Sequence, residues 1–187
     1  MAAHNLVSTS FLPYSGDYKR GFVYGVYLMS IEMRLKQLGI KLPDLDGKDY
    51  YGQSYGKMKT HHIVGNVLYL SGHTPVWNGK IIHPGRIGGD VSVEQGYEAA
   101  RLTGINMIAG MKHALGDLER VNGLIRCLCF VACEPDFNEV HLVSSGCTDV
   151  IVDVFGESIG VGGRATIGVQ SLCDKMCFET VAEIEII

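Results

Sequence analysis

Ser92-Val93-Glu94-Gln95-Gly96-Tyr97-Glu98-Ala99-Ala100, continuing from Arg101 to Leu115-Gly116, carries the pattern on which the fold turns. Ser92 and Gln95 have capping-box spacing: the hydroxyl can accept from the Gln95 N–H while the Gln95 side chain reaches back. Tyr97, Ala100, Gly104, Ile108, Met111 and Leu115 then recur at three- or four-residue steps, which predicts an amphipathic helix stopping at Gly116. Downstream, the apolar-rich run Leu124 to Ala132 reads as a buried strand. Phe137, Val140, Ser144, Cys147, Ile151 and Val154 return to helical steps and predict a second helix ending at Phe155. Arg164 to Leu172 and Val181 to Ile187 alternate as half-buried strands do.

Upstream, Ser30 and Gly39 bracket a short helix with Ile31, Leu35 and Leu38 on one face. Gly65-Asn66 separates two β-rich runs between Ile63 and Gly72, and Asn78-Gly79 marks a second turn, so this region reads as three short antiparallel strands. The order after the leading helix is β-β-β-α-β-α-β-β. It predicts an α+β sandwich, a mostly antiparallel sheet with two helices on one face. The alternation assigns Ala165, Ile167 and Val169 to one face of their strand and Arg164 and Thr166 to the other. On this reading Arg164, Thr166, Glu183 and Glu185 line the uncovered face, where water or another subunit would meet the sheet. Residues 1–29 hold four of the nine tyrosines and little periodicity, and read as an N-terminal arm before a domain at 30–187.

A chain of 187 residues suits one domain that needs no staples, burying roughly 70% of its extended surface. Charged residues are only 19%, consistent with surface covered by other subunits. The net charge of −4 and the lack of any Lys/Arg run beyond Lys19-Arg20 disfavour nucleic-acid binding. The apolar run Phe22–Met29 is too short for a bilayer, and the first ten residues lack the basic start of a secretory signal. The six cysteines form no CxxC pair and read as reduced, buried thiols of a cytoplasmic protein.

Some of these residues carry chemistry. Arg164 follows Gly160-Val161-Gly162-Gly163 at a loop–strand junction, where a guanidinium can grip a carboxylate through two parallel N–H bonds; an ion pair with Glu183 or Glu185 is the alternative. Glu183 and Glu185 read as a general base or as solvated edge charges. Ser71-Gly72-His73 ends a strand, and Gly72 would let a ligand approach the backbone, but no nucleophile elbow surrounds Ser71. His61, His62, His73 and His83 lack zinc-ligand spacing, and Cys127 and Cys129 sit among apolar neighbours, so no metal or cofactor is expected. Gly85-Arg86-Ile87-Gly88-Gly89-Asp90 lacks the Lys-Ser/Thr of a phosphate loop and reads as a tight connection.

Taken together, Gly65–Gly72, His83–Arg101, Ala114–Val121, Pro135-Asp136-Phe137, Arg164–Val169 and Glu183-Ile184-Glu185 resemble the YjgF/RidA (endoribonuclease L-PSP) family, in its longer, chorismate-mutase-like branch. The resemblance covers the chain from about Ser30 onward. It implies a homotrimer with clefts between subunits and an enamine/imine deaminase acting on 2-imino acids. By the same resemblance Arg164 binds the substrate carboxylate, the Thr166 backbone N–H assists, and Glu183 orients the attacking water with the Gly72 carbonyl. Ser71 and Tyr55 are then pocket residues, and Ser145 stands where the family often has asparagine. As departures from the family pattern, Cys173 replaces a proline and the last turn is longer by several residues. A non-catalytic trimer that binds small carboxylates or a protein partner is the alternative. Ribonuclease activity, the family's older name, fits poorly with the acidic balance.

Overall fold

The computed structural model describes residues 29–45 and 56–187. The N-terminal 28 residues and Tyr55 lie outside this set. Helix α1 spans Ile31–Gln37; the Ser30 hydroxyl accepts from the Met33 N–H, and Gly39 takes φ +67 just past the end. Buried Ile31 and Leu35 face the core, and Arg34 Nε donates to the Asp153 carbonyl at 2.8 Å.

Strands β1 (His61–Val64) and β2 (Val67–His73) form the expected hairpin about Gly65-Asn66. The second turn joins two further short strands, β3 (Val76–Trp77) and β4 (Lys80–Ile81). There are thus four strands where three were expected, because Asn78 and Gly79 both take positive φ and close a ribbon of their own, separate from the main sheet. Helix α2 (Val93–Leu115) has the capping box in full and ends at Gly116. Strand β5 (Val121–Ala132) leads to helix α3 (Val140–Phe155), a one-turn α4 (Glu157–Gly160), strand β6 (Gly163–Val169) and strand β7 (Phe178–Ile186). Helix α3 starts three residues later than Phe137, and Glu139 caps it without a side-chain bond.

The main sheet runs β1-β2-β7-β5-β6, antiparallel except for the parallel β5–β6 pair that α3 connects. Helices α2 and α3 cover one face. Along β7, Phe178, Thr180, Ala182, Ile184 and Ile186 are buried beneath them, while Glu179, Val181, Glu183 and Glu185 face outward. The helices approach so closely that a β-carbon on Gly146 would strike the Tyr97 carbonyl, and one on Gly104 would lie 2.8 Å from the Cys147 carbonyl. Both glycines are therefore required by packing.

The pairing overturns one expectation. Cys127 of β5 lies opposite both Arg164 and Ala182. Arg164 and Thr166 therefore share the helix-covered face with buried Ala182, while Glu183 and Glu185 lie on the opposite face. Alternation defines two faces of β6 but not which one turns inward. The hydroxyls of α3 settle it by satisfying Arg164 and Thr166, and Ile167 faces out at 45% exposure. Arg126, inside the run read as a buried strand, also emerges on the outer face and pairs with Glu183.

Five cysteines are buried; Cys173 is exposed, a correction to the expectation for all six. It lies in the short turn before β7, where Asp174 and Lys175 take left-handed backbone conformations.

Candidate functional site

Two clusters of expected site residues form on opposite faces of the sheet. The first surrounds Arg164, on edge strand β6. Its Nη1 donates to Thr148 Oγ1 at 2.9 Å and to Ser145 Oγ at 3.3 Å. Beside it, the Thr166 and Ser144 hydroxyls bond at 2.7 Å. Ser145 Oγ donates to the His141 carbonyl at 3.0 Å, so α3 holds the hydroxyl that touches Arg164. The sequence-based grouping of Arg164, Thr166 and Ser145 is thus realised in space. No carboxylate among the described residues pairs with Arg164. Asp149 accepts from the Tyr97 hydroxyl at 2.9 Å, and Asp153 pairs with Arg101 at 3.2 Å. A cation held only by neutral hydroxyls keeps its charge for an incoming anion.

The second cluster lies where β2 ends beside the start of β7. Ser71 Oγ donates to the Lys59 carbonyl at 2.6 Å, and the Ser71 N–H donates to the Thr60 carbonyl at 3.0 Å. The carboxylate of Glu179 occupies the space where a β-carbon of Gly72 would stand. Glu179 is half-buried, and this desolvation pushes its carboxyl above the ordinary glutamate range. His73, next in sequence, turns into the core; burial holds its imidazole neutral, with a pKa pushed down to about 4.

Glu183 sits elsewhere. It lies opposite Tyr69 in the β2–β7 register, and both Nε and Nη2 of Arg126 donate to its carboxylate, the latter at 2.9 Å. That bidentate bond holds its carboxyl below the ordinary range. Asn122 Nδ2 donates to Glu185 at 2.9 Å. Neither of the glutamates singled out from sequence is the one against Gly72. Glu179 shares their parity on β7, and this was the available signal: odd positions from 179 to 185 face one way, three of them glutamate.

Among the histidines, His61 meets His113 edge-to-face with ring centroids 6.1 Å apart, and His83 Nε2 lies 2.9 Å from Glu98. The Gly85–Asp90 connection is held by Arg86, whose Nε lies 3.1 Å from Glu134. No group of three His, Cys, Asp or Glu side chains among the described residues could hold a metal ion. No helix among them is long and apolar enough to cross a membrane.

The profile of the family described as "YjgF/chorismate mutase-like, putative endoribonuclease" matches residues 32–178. The chain belongs to this YjgF family. The match ends at Phe178, one residue before Glu179, so the choice between Glu179 and Glu183 comes from geometry alone. Protein TCP17 of Trypanosoma cruzi is 32% identical over 156 residues, covering 83% of this chain and 94% of that protein. The crystal structure of Atu1372 from Agrobacterium tumefaciens, a protein of unknown function, is similar with a TM-score of 0.73 and 39% identity, covering 84% of this chain and 92% of that one. A "putative endoribonuclease" from Shewanella oneidensis superposes with a TM-score of 0.77 at 27% identity, covering 84% of this chain and 99% of that one.

Proposed function

We propose that this YjgF-family chain is an enamine/imine deaminase that converts 2-imino acids to 2-keto acids and ammonia at clefts between subunits of a homotrimer. The observation that carries this reading is Arg164, a guanidinium bound by Ser145 and Thr148 with no carboxylate partner among the described residues. The substrate carboxylate takes its free edge, and the Thr166 backbone N–H adds a donor.

The water-orienting group is assigned to Glu179 rather than Glu183. Glu179 lies against Gly72, while Glu183 is committed to Arg126. A carboxylate with a raised pKa is better matched to proton transfer near neutral pH. In the reaction the water oxygen bonds to the protonated imine carbon as Glu179 accepts a water proton. The C=N bond becomes C–N, and the proton passes to the nitrogen. The C–N bond then breaks as the hydroxyl gives up its proton and the C=O bond forms; the departing ammonia takes up that proton, giving the ketone and ammonium.

Arg164 is on edge strand β6 and Glu179 on β7, on opposite faces, with β5 between them. A substrate of a few heavy atoms cannot touch both within one subunit. The cleft therefore joins the Arg164 corner of one subunit to the Gly72–Glu179 corner of the next, with Ser71 on its wall. The uncovered sheet face, with Tyr69, Ile125 and Ile167 exposed, is the surface a neighbour would bury. Tyr55, outside the described residues, retains its proposed pocket role by resemblance alone.

The test is release of keto acid and ammonia from freshly generated 2-iminobutanoate. Turnover above the uncatalysed rate supports the deaminase. Binding of 2-ketobutyrate without turnover moves the reading to a carboxylate-binding trimer. RNA cleavage by repurified protein, falling steeply with salt, would revive the ribonuclease.

A further inference from the structure

The corner that presents Gly72 to Glu179 is irregular. Leu70 pairs with Ala182, but the next pair is His73 with Thr180, so β2 contains one more residue than β7 over this interval. That extra residue is a β-bulge at Ser71-Gly72. A bulge turns backbone groups out of the regular ladder, and partly buried ones need other partners. Here the Ser71 carbonyl receives one from within the core: His73 Nδ1 lies 2.8 Å from it.

We propose that His73 is the positioning residue of this corner, its Nδ1–H holding the Ser71 carbonyl and so fixing the bulge that sets Gly72 against Glu179. A carbonyl oxygen only accepts, so Nδ1 must carry the proton, and the contact itself dictates the tautomer. His73 is 3% exposed and is locked by the surrounding core, so it is a rigid anchor beneath a functional backbone. The two other polar groups of Ser71 are tied to residues 59 and 60, ahead of β1. The bulge is thus clamped from both sides, and His73 is the clamp from the helix-covered face. His73 touches no substrate; it acts through Gly72 and Glu179. What the bulge does for turnover rests on the deaminase reading, but the clamp itself does not.

Two measurements test the proposal separately. First, ¹⁵N NMR of the histidine rings in the full-length parent protein reports the tautomer. A neutral ring protonated at Nδ1 is expected for His73; protonation at Nε2 with a bare Nδ1 overturns the clamp whatever the protein catalyses. Second, His73→Asn and His73→Leu are compared in imine hydrolysis and 2-ketobutyrate binding, with circular dichroism to verify folding. Asn carries an N–H near the Nδ1 position, and Leu fills similar space without a donor. His73→Leu is expected to lower kcat by about 10- to 100-fold, the scale of a misplaced catalytic group, with ketoacid affinity within about two-fold of the parent. His73→Asn is expected to stay within about five-fold of the parent. Full activity in His73→Leu, or an equal loss in both variants, overturns the proposal. If His73→Leu does not fold, the Asn variant and the tautomer decide. If the parent hydrolyses no imine, the deaminase reading fails and the tautomer still decides the clamp.

Discussion

The Glu179 carboxylate fills the space that a β-carbon on Gly72 would occupy, so a glycine on one strand and a half-buried acid on the next form a single feature. Only glycine leaves room for that approach without pushing the carboxylate aside. Gly72→Ala should therefore displace the Glu179 side chain while leaving the fold intact, since the colliding atom is the free end of a flexible chain. Imine hydrolysis should fall by about ten-fold or more, as for other displaced acid–base groups. Thermal denaturation should shift little. A variant with parental turnover would show that the contact has no role in the chemistry.

Arg164 should carry carboxylate binding. Losing a charge-assisted bond costs about 1.5–3 kcal/mol, or roughly 10- to 150-fold in affinity. Titration of 2-ketobutyrate into Arg164→Ala should show a loss of that size. Arg164→Lys should also be impaired, because one ammonium cannot bond Ser145, Thr148 and a carboxylate in the same fork geometry.

Two of the three outward glutamates, Glu179 and Glu183, are shifted in opposite directions. Desolvation raises Glu179, so the acid limb of kcat/KM should lie above 4.5, the ordinary glutamate value, and Glu179→Gln should abolish both the limb and most of the rate. Glu183, held low by Arg126, should not set that limb, and Glu183→Gln should retain it. Stability follows the same signs. The Glu183–Arg126 pair stabilises the fold above the unfolded glutamate pKa, and the effect is lost as pH falls through the depressed folded value. Glu179 opposes folding as pH rises between its unfolded and its raised folded pKa. A limb that moves in Glu183→Gln and not in Glu179→Gln would reverse the assignment.

Thiol accessibility offers a check of the fold. Cys173 alone is exposed; Cys127, Cys129, Cys133, Cys147 and Cys177 are buried, and burial pushes the Cys177 thiol up to about 11. A thiol reagent should modify one cysteine rapidly in the native protein and all six after denaturation without reductant. Two or more fast native thiols would contradict the packing around α3 and β5.

Much of the architecture was legible because its signals are local. Ser30 and Ser92 cap helices, Gly116 stops one, and Asn78-Gly79 closes a ribbon, each within a few residues of chain. The closeness of Arg164 and Ser145 was legible through family resemblance. Two features were not, and both depend on pairing between distant strands. Alternation along β6 does not say which face turns toward α3; the parallel register with Cys127 and Cys129 does. Alternation along β7 admits three glutamates on one face, and only the contact with Gly72 singles out Glu179.

The central claim is that each site takes Arg164 from one subunit and Glu179 from its neighbour, and mixing two inactive variants tests it most directly. Arg164→Ala and Glu179→Gln should each be nearly inactive alone. Dissociated and reassembled together in equal amounts, they should form mixed trimers in which about a quarter of the interfaces bring an intact Arg164 to an intact Glu179, restoring about a quarter of parental imine hydrolysis. A mixture that exchanges subunits, verified by mass spectrometry of the assembled trimers, yet stays as inactive as its components would contradict the shared site.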